Sequence, residues 1–108
     1  MRLKAERELI VEYGRKLITS NLTTGSGGNL SIINREENLI AIKPTGVDYM
    51  IMKPSDVVVV SPDGTIVEGE LKPSSEIRFH LALLKFRNDA NAVVHTHQVY
   101  ATTIACMN

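Results

Sequence analysis

The stretch Thr23-Thr24-Gly25-Ser26-Gly27-Gly28 most constrains the fold of this chain. Glycine loses more backbone entropy than any other residue in a helix or a strand, and it admits angles closed to side-chain-bearing residues, so neither regular element runs easily through it. The chain changes character there. Before the break, Leu9, Ile10, Tyr13, Leu17 and Ile18 recur at helical spacing with Glu6, Arg7, Glu12 and Arg15 between them, which predicts an amphipathic helix over residues 3–21. After it, the apolar runs "NLSII" and "NLIAIK" flank the polar "NREEN", the pattern of a hairpin with a long turn, and "KPTG" closes the second strand. "VVVV" at 57–60 is too β-branched for a good helix, and "SPDG" followed by "TIVEG" predicts a second hairpin.

The stretch "LKPSSEIRFHLALLKFRND" predicts the clearest helix. Ser74 or Ser75 can cap it, Glu76 sits in its first turn, and Ile77, Leu81, Leu84 and Phe86 supply an apolar stripe that ends near Asn88. "ANAVVHTH" then predicts a strand, and "VYATTIACM" a helix beginning where the chain ends. That last segment is still apolar at Met107, without cap, charge or glycine. All 108 residues are therefore expected to belong to one α/β domain whose C-terminal part is missing.

Composition narrows the function classes. Twelve basic and twelve acidic side chains leave no net charge to steer the chain toward nucleic acid or an acidic membrane. No segment approaches the roughly 18 apolar residues of a membrane span, and the N-terminal "MRLKAERELI" lacks a secretory apolar core. Cys106 is the only cysteine, so no intrachain disulfide can form; the expectation is a cytoplasmic protein in which Cys106 acts as a small buried apolar residue.

Chemistry-bearing residues cluster late in the chain. His95 and His97, two apart on a strand, belong to one face, where an H-x-H pair makes a bidentate clip for zinc or a similar cation. Rings at a strand end also pack or hydrogen-bond without a metal, so the pair needs support. Glu76 offers it from the start of the helix leading into that strand, although a carboxylate there is also explained by the helix dipole, worth about 0.3–1 kcal/mol. His80, one turn on, is expected to be a structural histidine at the rim of the core. The loops "GSGGN", "PTG" and "KPSSE" each present small hydroxyls or amides and accessible backbone N–H groups. Turn and capping chemistry explains any one of them; together with H-x-H they predict a pocket for a phosphate.

Taken in order, "GSGGNLS", "IKPTG", "KPSSEIRFH" and "NAVVHTH" resemble the class II aldolase and adducin family through essentially the whole chain. The resemblance implies a three-layer α/β/α fold around a largely antiparallel sheet, of which this chain is an incomplete part. It implies zinc held by Glu76, His95 and His97, with a third histidine ligand expected beyond residue 108, and Glu76 doubling as acid and base. Gly28, Asn29, Thr45, Gly46, Ser74 and Ser75 would receive the substrate phosphate, with Ser26 nearby. The implied reaction cleaves a ketose 1-phosphate, such as L-fuculose 1-phosphate, into dihydroxyacetone phosphate and an aldehyde such as L-lactaldehyde, the metal taking up charge as a Lewis acid. The alternatives are a sugar-phosphate 4-epimerase of the same family, which usually carries Asp where Glu76 stands, and an adducin-like scaffold without metal chemistry. The implied partners are a sugar phosphate and further copies of the chain in a homotetramer, with no nucleic acid and no membrane.

Overall fold

The computed structural model of the chain describes the backbone of residues 1–97 and 102–107 and the side chains of residues 1–96. Helix α1 (Lys4–Thr19) is followed by strands β1 (Asn29–Asn34) and β2 (Leu39–Ile42), a 3₁₀ turn (Pro54–Asp56), strands β3 (Val58–Val60) and β4 (Ile66–Glu68), helix α2 (Ile77–Phe86), and strands β5 (Ala92–His97) and β6 (Thr102–Met107). The strands form one six-stranded sheet in the order β4-β3-β2-β1-β5-β6. Every neighbouring pair is antiparallel.

Each face of the sheet is covered by one helix, and the strand residues divide between two cores. Leu30, Ala41, Val57 and Val59 pack with Ile10, Val11 and Leu17 of α1. Ile33, Ile40, Ile42, Val58, Val60 and Val93 pack with Leu84 of α2, with Ile77 and Leu81 against them. The valine run is thus buried on both faces, which is why it reads as continuous rather than alternating. Both expected hairpins form, with Ser31 opposite Ile42 in the first and Val60 opposite Ile66 in the second.

Three expectations about elements are corrected. The segment expected to start a helix after His97 is strand β6 over Thr102–Met107, paired with β5 from Ala92↔Met107 to His97↔Thr102; residues 98–101 of that expectation lie outside the described residues. β-branched Thr102, Thr103 and Ile104 suit a strand, and β6 satisfies N–H and C=O groups that would otherwise line an open edge of β5. On α1, Leu9 and Tyr13 are exposed, while Arg7, Ile10, Val11, Gly14 and Leu17 are buried. Phe86 is 83% exposed and takes no part in the α2 stripe.

Gly14 and Arg7 show why α1 turns as it does. A Cβ on Gly14 would lie 2.2 Å from Cδ1 of Tyr49, whose ring is fully buried against the helix. Arg7 Nη1 donates to the carbonyls of Val57 at 3.0 Å and Pro54 at 3.2 Å, Nε donates to Arg2 O at 2.6 Å, and Nη2 pairs with Glu68. The side chain ties α1 to the 3₁₀ turn and to β4. Among the described residues no helix is long and apolar enough to cross a membrane.

Candidate active site

Two loops are drawn together by their own backbones. Thr45 N donates to Lys72 O at 2.9 Å and Ser74 N donates to Lys43 O at 2.9 Å, flanking a bridge between Pro44 and Pro73. The loop after β2 is thereby clamped to the loop before α2, which sets Thr45 and Gly46 beside Ser74 and Ser75. The glycine loop closes the third side. Gly28 adopts φ +72°, and a Cβ there would meet the carbonyl oxygen of His95 at 2.7 Å, so only glycine lets this loop press against β5.

These loops enclose a pocket of about 180 Å³ lined by Ser26, Gly28, Asn29, Lys43, Thr45, Gly46, Ser74, Ser75 and Glu76. All six residues expected to receive a phosphate, and Ser26 beside them, therefore border one hollow. Four hydroxyl-bearing residues, an asparagine and a lysine line it, and Glu76 is the one acidic residue in the lining. Larger hollows lie between Asp63 and α2 and beside Arg7 and Glu68, about 340 and 600 Å³, but neither gathers such a set of small hydroxyl groups.

Lys43 is the lining residue that the sequence pattern does not announce. It is 1% exposed, donates from Nζ to Pro44 O at 2.9 Å, and holds that ammonium 4.9 Å from the centre of the Tyr49 ring. Burial pulls its pKa below the ordinary lysine value and Asp48 partly restores it. Its position was visible in principle, as a cation directly after the apolar run of β2 and directly before Pro-Thr-Gly. Charge at a strand end is ordinarily solvated, which hid it.

Glu76 occupies the N-cap position of α2 rather than its first turn. Its backbone N–H donates to Ser74 Oγ at 3.2 Å, so the capping hydroxyl expected from Ser74 is directed at the residue before the helix. His95 stands opposite Asn29 across the β1–β5 pair and is 7% exposed. Its ring lies 6.0 Å from that of Phe79, three residues beyond Glu76 on α2, so the first turn of that helix packs against β5 at His95. His97 follows two positions later and ends β5; its side chain lies outside the described residues. Among the described residues no group of three or more His, Cys, Asp or Glu converges on a metal position. The donors that are described, a carboxylate at the pocket and an imidazole in the adjoining strand, are of the kind that zinc accepts.

His80 departs from its expected place at the rim. It is fully buried, sharing a 2.6 Å hydrogen bond through Nδ1 with Ser31 Oγ and a second through Nε2 with Asn29 Oδ1. Burial first, and the charge of His95 second, push its pKa down to about 4, so the ring is neutral at physiological pH. With both nitrogens engaged, it backs the pocket without entering it.

The model of the Class II Aldolase and Adducin N-terminal domain matches residues 8–108. The chain is 55% identical over 107 residues to a 5-deoxy-D-ribulose 1-phosphate aldolase of Bacillus thuringiensis serovar kurstaki, which covers 99% of this chain and 50% of that protein. It is 49% identical over 99 residues to an L-ribulose-5-phosphate 4-epimerase of Salmonella paratyphi B, covering 92% of this chain and 43% of that one. A solved L-fuculose 1-phosphate aldolase superposes with a TM-score of 0.87 at 43% identity, over 93% of this chain and 47% of that structure. The chain thus spans about half the length of the relatives it matches.

Proposed function

Because the chain belongs to the class II aldolase and adducin N-terminal domain family, we propose that it forms the phosphate-holding part of a metal-dependent aldehyde-lyase acting on a ketose 1-phosphate. The observation that carries this reading is the one pocket lined by four serine and threonine residues, Asn29 and the buried Lys43, with Glu76 as its one acidic residue. A phosphate monoester is an acceptor-rich dianion, and such a lining offers it donors without competing negative charge except at one point. That point is where the proton chemistry belongs.

In this reading Ser26, Asn29, Thr45, Ser74 and Ser75 hold the phosphate, Gly28 and Gly46 let it approach the backbone, and Lys43 supplies positive charge. Glu76 moves the proton on the carbon released from the broken carbon–carbon bond, returning it in cleavage and removing it in condensation, a role worth about 10²–10⁴-fold in rate. Glu76, His95 and His97, with a further histidine beyond residue 108, would hold zinc. When bound, the metal supplies a Lewis acid for the charge that develops on the ketose oxygens. Assembly as a homotetramer and residence in the cytoplasm belong to the same proposal.

The relative at 55% identity acts, by its name, on 5-deoxy-D-ribulose 1-phosphate. That makes a short deoxyketose 1-phosphate a substrate to test alongside L-fuculose 1-phosphate. Cleavage of the five-carbon sugar between its third and fourth carbons gives dihydroxyacetone phosphate and acetaldehyde; the six-carbon sugar gives the same phosphate and lactaldehyde. The full-length protein should release dihydroxyacetone phosphate from one of these, and a chelator should stop it. Interconversion of L-ribulose 5-phosphate with its 4-epimer and no fragmentation would replace the lyase by the epimerase reading, which the 49% identity to a 4-epimerase keeps specific.

A further inference from the structure

We propose that His80 is a positioning residue that holds the Asn29 amide with its NH₂ end toward the phosphate pocket. The proposal rests on the pocket's reading as a phosphate site. Asn29 starts β1, is 5% exposed and lines the pocket, while its Oδ1 is hydrogen-bonded to His80 Nε2 behind it. An asparagine side chain carries a donor end and an acceptor end of nearly the same shape. Only the donor end attracts an anion.

The choice between the ends is made by the imidazole. With the proton on Nε2, His80 donates to Asn29 Oδ1 and its bare Nδ1 accepts from the Ser31 hydroxyl, 2.6 Å away. The amide NH₂ is then the end left for the pocket. With the proton on Nδ1, His80 would donate to Ser31 Oγ and accept from the amide, turning Oδ1 and its lone pairs toward the anion. Ser31 sits two residues after Asn29 on the same face of β1, and His80 stands on the helix covering that face, so both contacts come from regular elements and not from loops. Neither Ser31 nor His80 lines the pocket, so neither need touch substrate.

The test uses the full-length, metal-loaded protein, with inorganic phosphate as the probe in titration calorimetry. Asn29→Asp, which removes the NH₂, tests the pocket reading itself. His80→Leu keeps bulk but no donor, and His80→Gln keeps an N–H within reach of Asn29 Oδ1. Expected is a loss of about tenfold or more in phosphate affinity for Asn29→Asp, about tenfold for His80→Leu, and recovery to near the unmodified value for His80→Gln. The ¹⁵N spectrum of the unmodified protein should show His80 protonated on Nε2, a signature that simple core packing does not require and that can be read even where His80→Leu fails to fold. The Nδ1-protonated tautomer, or a folded His80→Leu protein that binds phosphate normally, overturns the positioning role. Unmodified protein that binds no phosphate overturns the pocket reading and removes the role with it; normal binding by Asn29→Asp with weak binding by His80→Leu overturns the route through Asn29 alone.

Discussion

The two faces of the sheet each bury a polar helical side chain, and the two are used differently. On the α1 face Arg7 meets the backbone carbonyls of Arg2, Pro54 and Val57 and the carboxylate of Glu68. On the α2 face His80 meets two side chains of β1, one of which lines the candidate site. A group whose partners are mainly carbonyls from distant segments fixes chain path. A group whose partners are side chains at a pocket fixes their orientation. Buried polar groups are costly unless satisfied, so both are informative, but only the second kind points toward chemistry.

The largest expected difference comes from breaking the α1 side. Arg7→Leu leaves the carbonyls of Pro54 and Val57 without their donor, and should lower unfolding free energy by about 3 kcal/mol in denaturant titration. The metal content of the full-length protein should be unchanged where it remains folded. A loss below about 1 kcal/mol would show that the surrounding backbone finds other partners.

Acid should act on the α2 side instead. His80 is held to about pH 4 in the folded chain, against an ordinary value of 6.5. The unfolded chain therefore binds the extra proton first as pH falls, so this contribution is complete above 6.5, declines between 6.5 and 4, and is gone below. Its size is of order 3 kcal/mol. Unfolding curves at pH 7, 5.5 and 4.5 should show the decline, and His80→Leu should flatten it.

A smaller effect sharpens the steric part of the contrast. Alanine is favoured over glycine inside a helix by about 1 kcal/mol, so Gly14→Ala should stabilise on propensity alone. The added Cβ would stand 2.2 Å from a carbon of the rigid, fully buried Tyr49 ring, and overpacking costs about 1–3 kcal/mol. Net destabilisation of about 1 kcal/mol is expected, read as a lower denaturant midpoint with an unchanged slope. Stabilisation would mean that the helix shifts away from Tyr49 without penalty.

Much of the sheet was legible before any coordinates. "NLSII", "NLIAIK" and the valine run are rich in β-branched or alternating apolar residues, and turn residues separate them. The segment after His97 misled because a short apolar run carries no decisive period; pairing with β5, a contact made in space, settles β6. On α1, Leu9 and Tyr13 fit one helical stripe, but the helix turns its Arg7–Gly14 side inward, since residues 49, 54, 57 and 68 supply the complementary surface. The proposed site shows the same division. Asn29, Thr45, Ser74 and Glu76 stand in short motifs that can be read directly, whereas Lys43 is buried at a place where its backbone is joined to Leu30 and Ser74, both far from it in sequence.

Local order decided which residues could bend, cap, alternate or donate: glycines that break regular structure, β-branched runs that prefer a pleat, hydroxyls and imidazoles with the right atoms. Those properties belong to single residues and their near neighbours, so the amino-acid order carries them outright. Which of these groups meet was decided only by tertiary structure. The clamp between Thr45 and Lys72, the pairing of Asn29 with His95, and the burial of Lys43 and His80 all join positions 27 or more residues apart or depend on such joins. Contacts of that kind exist only after the sheet has closed and water has left the space between its layers.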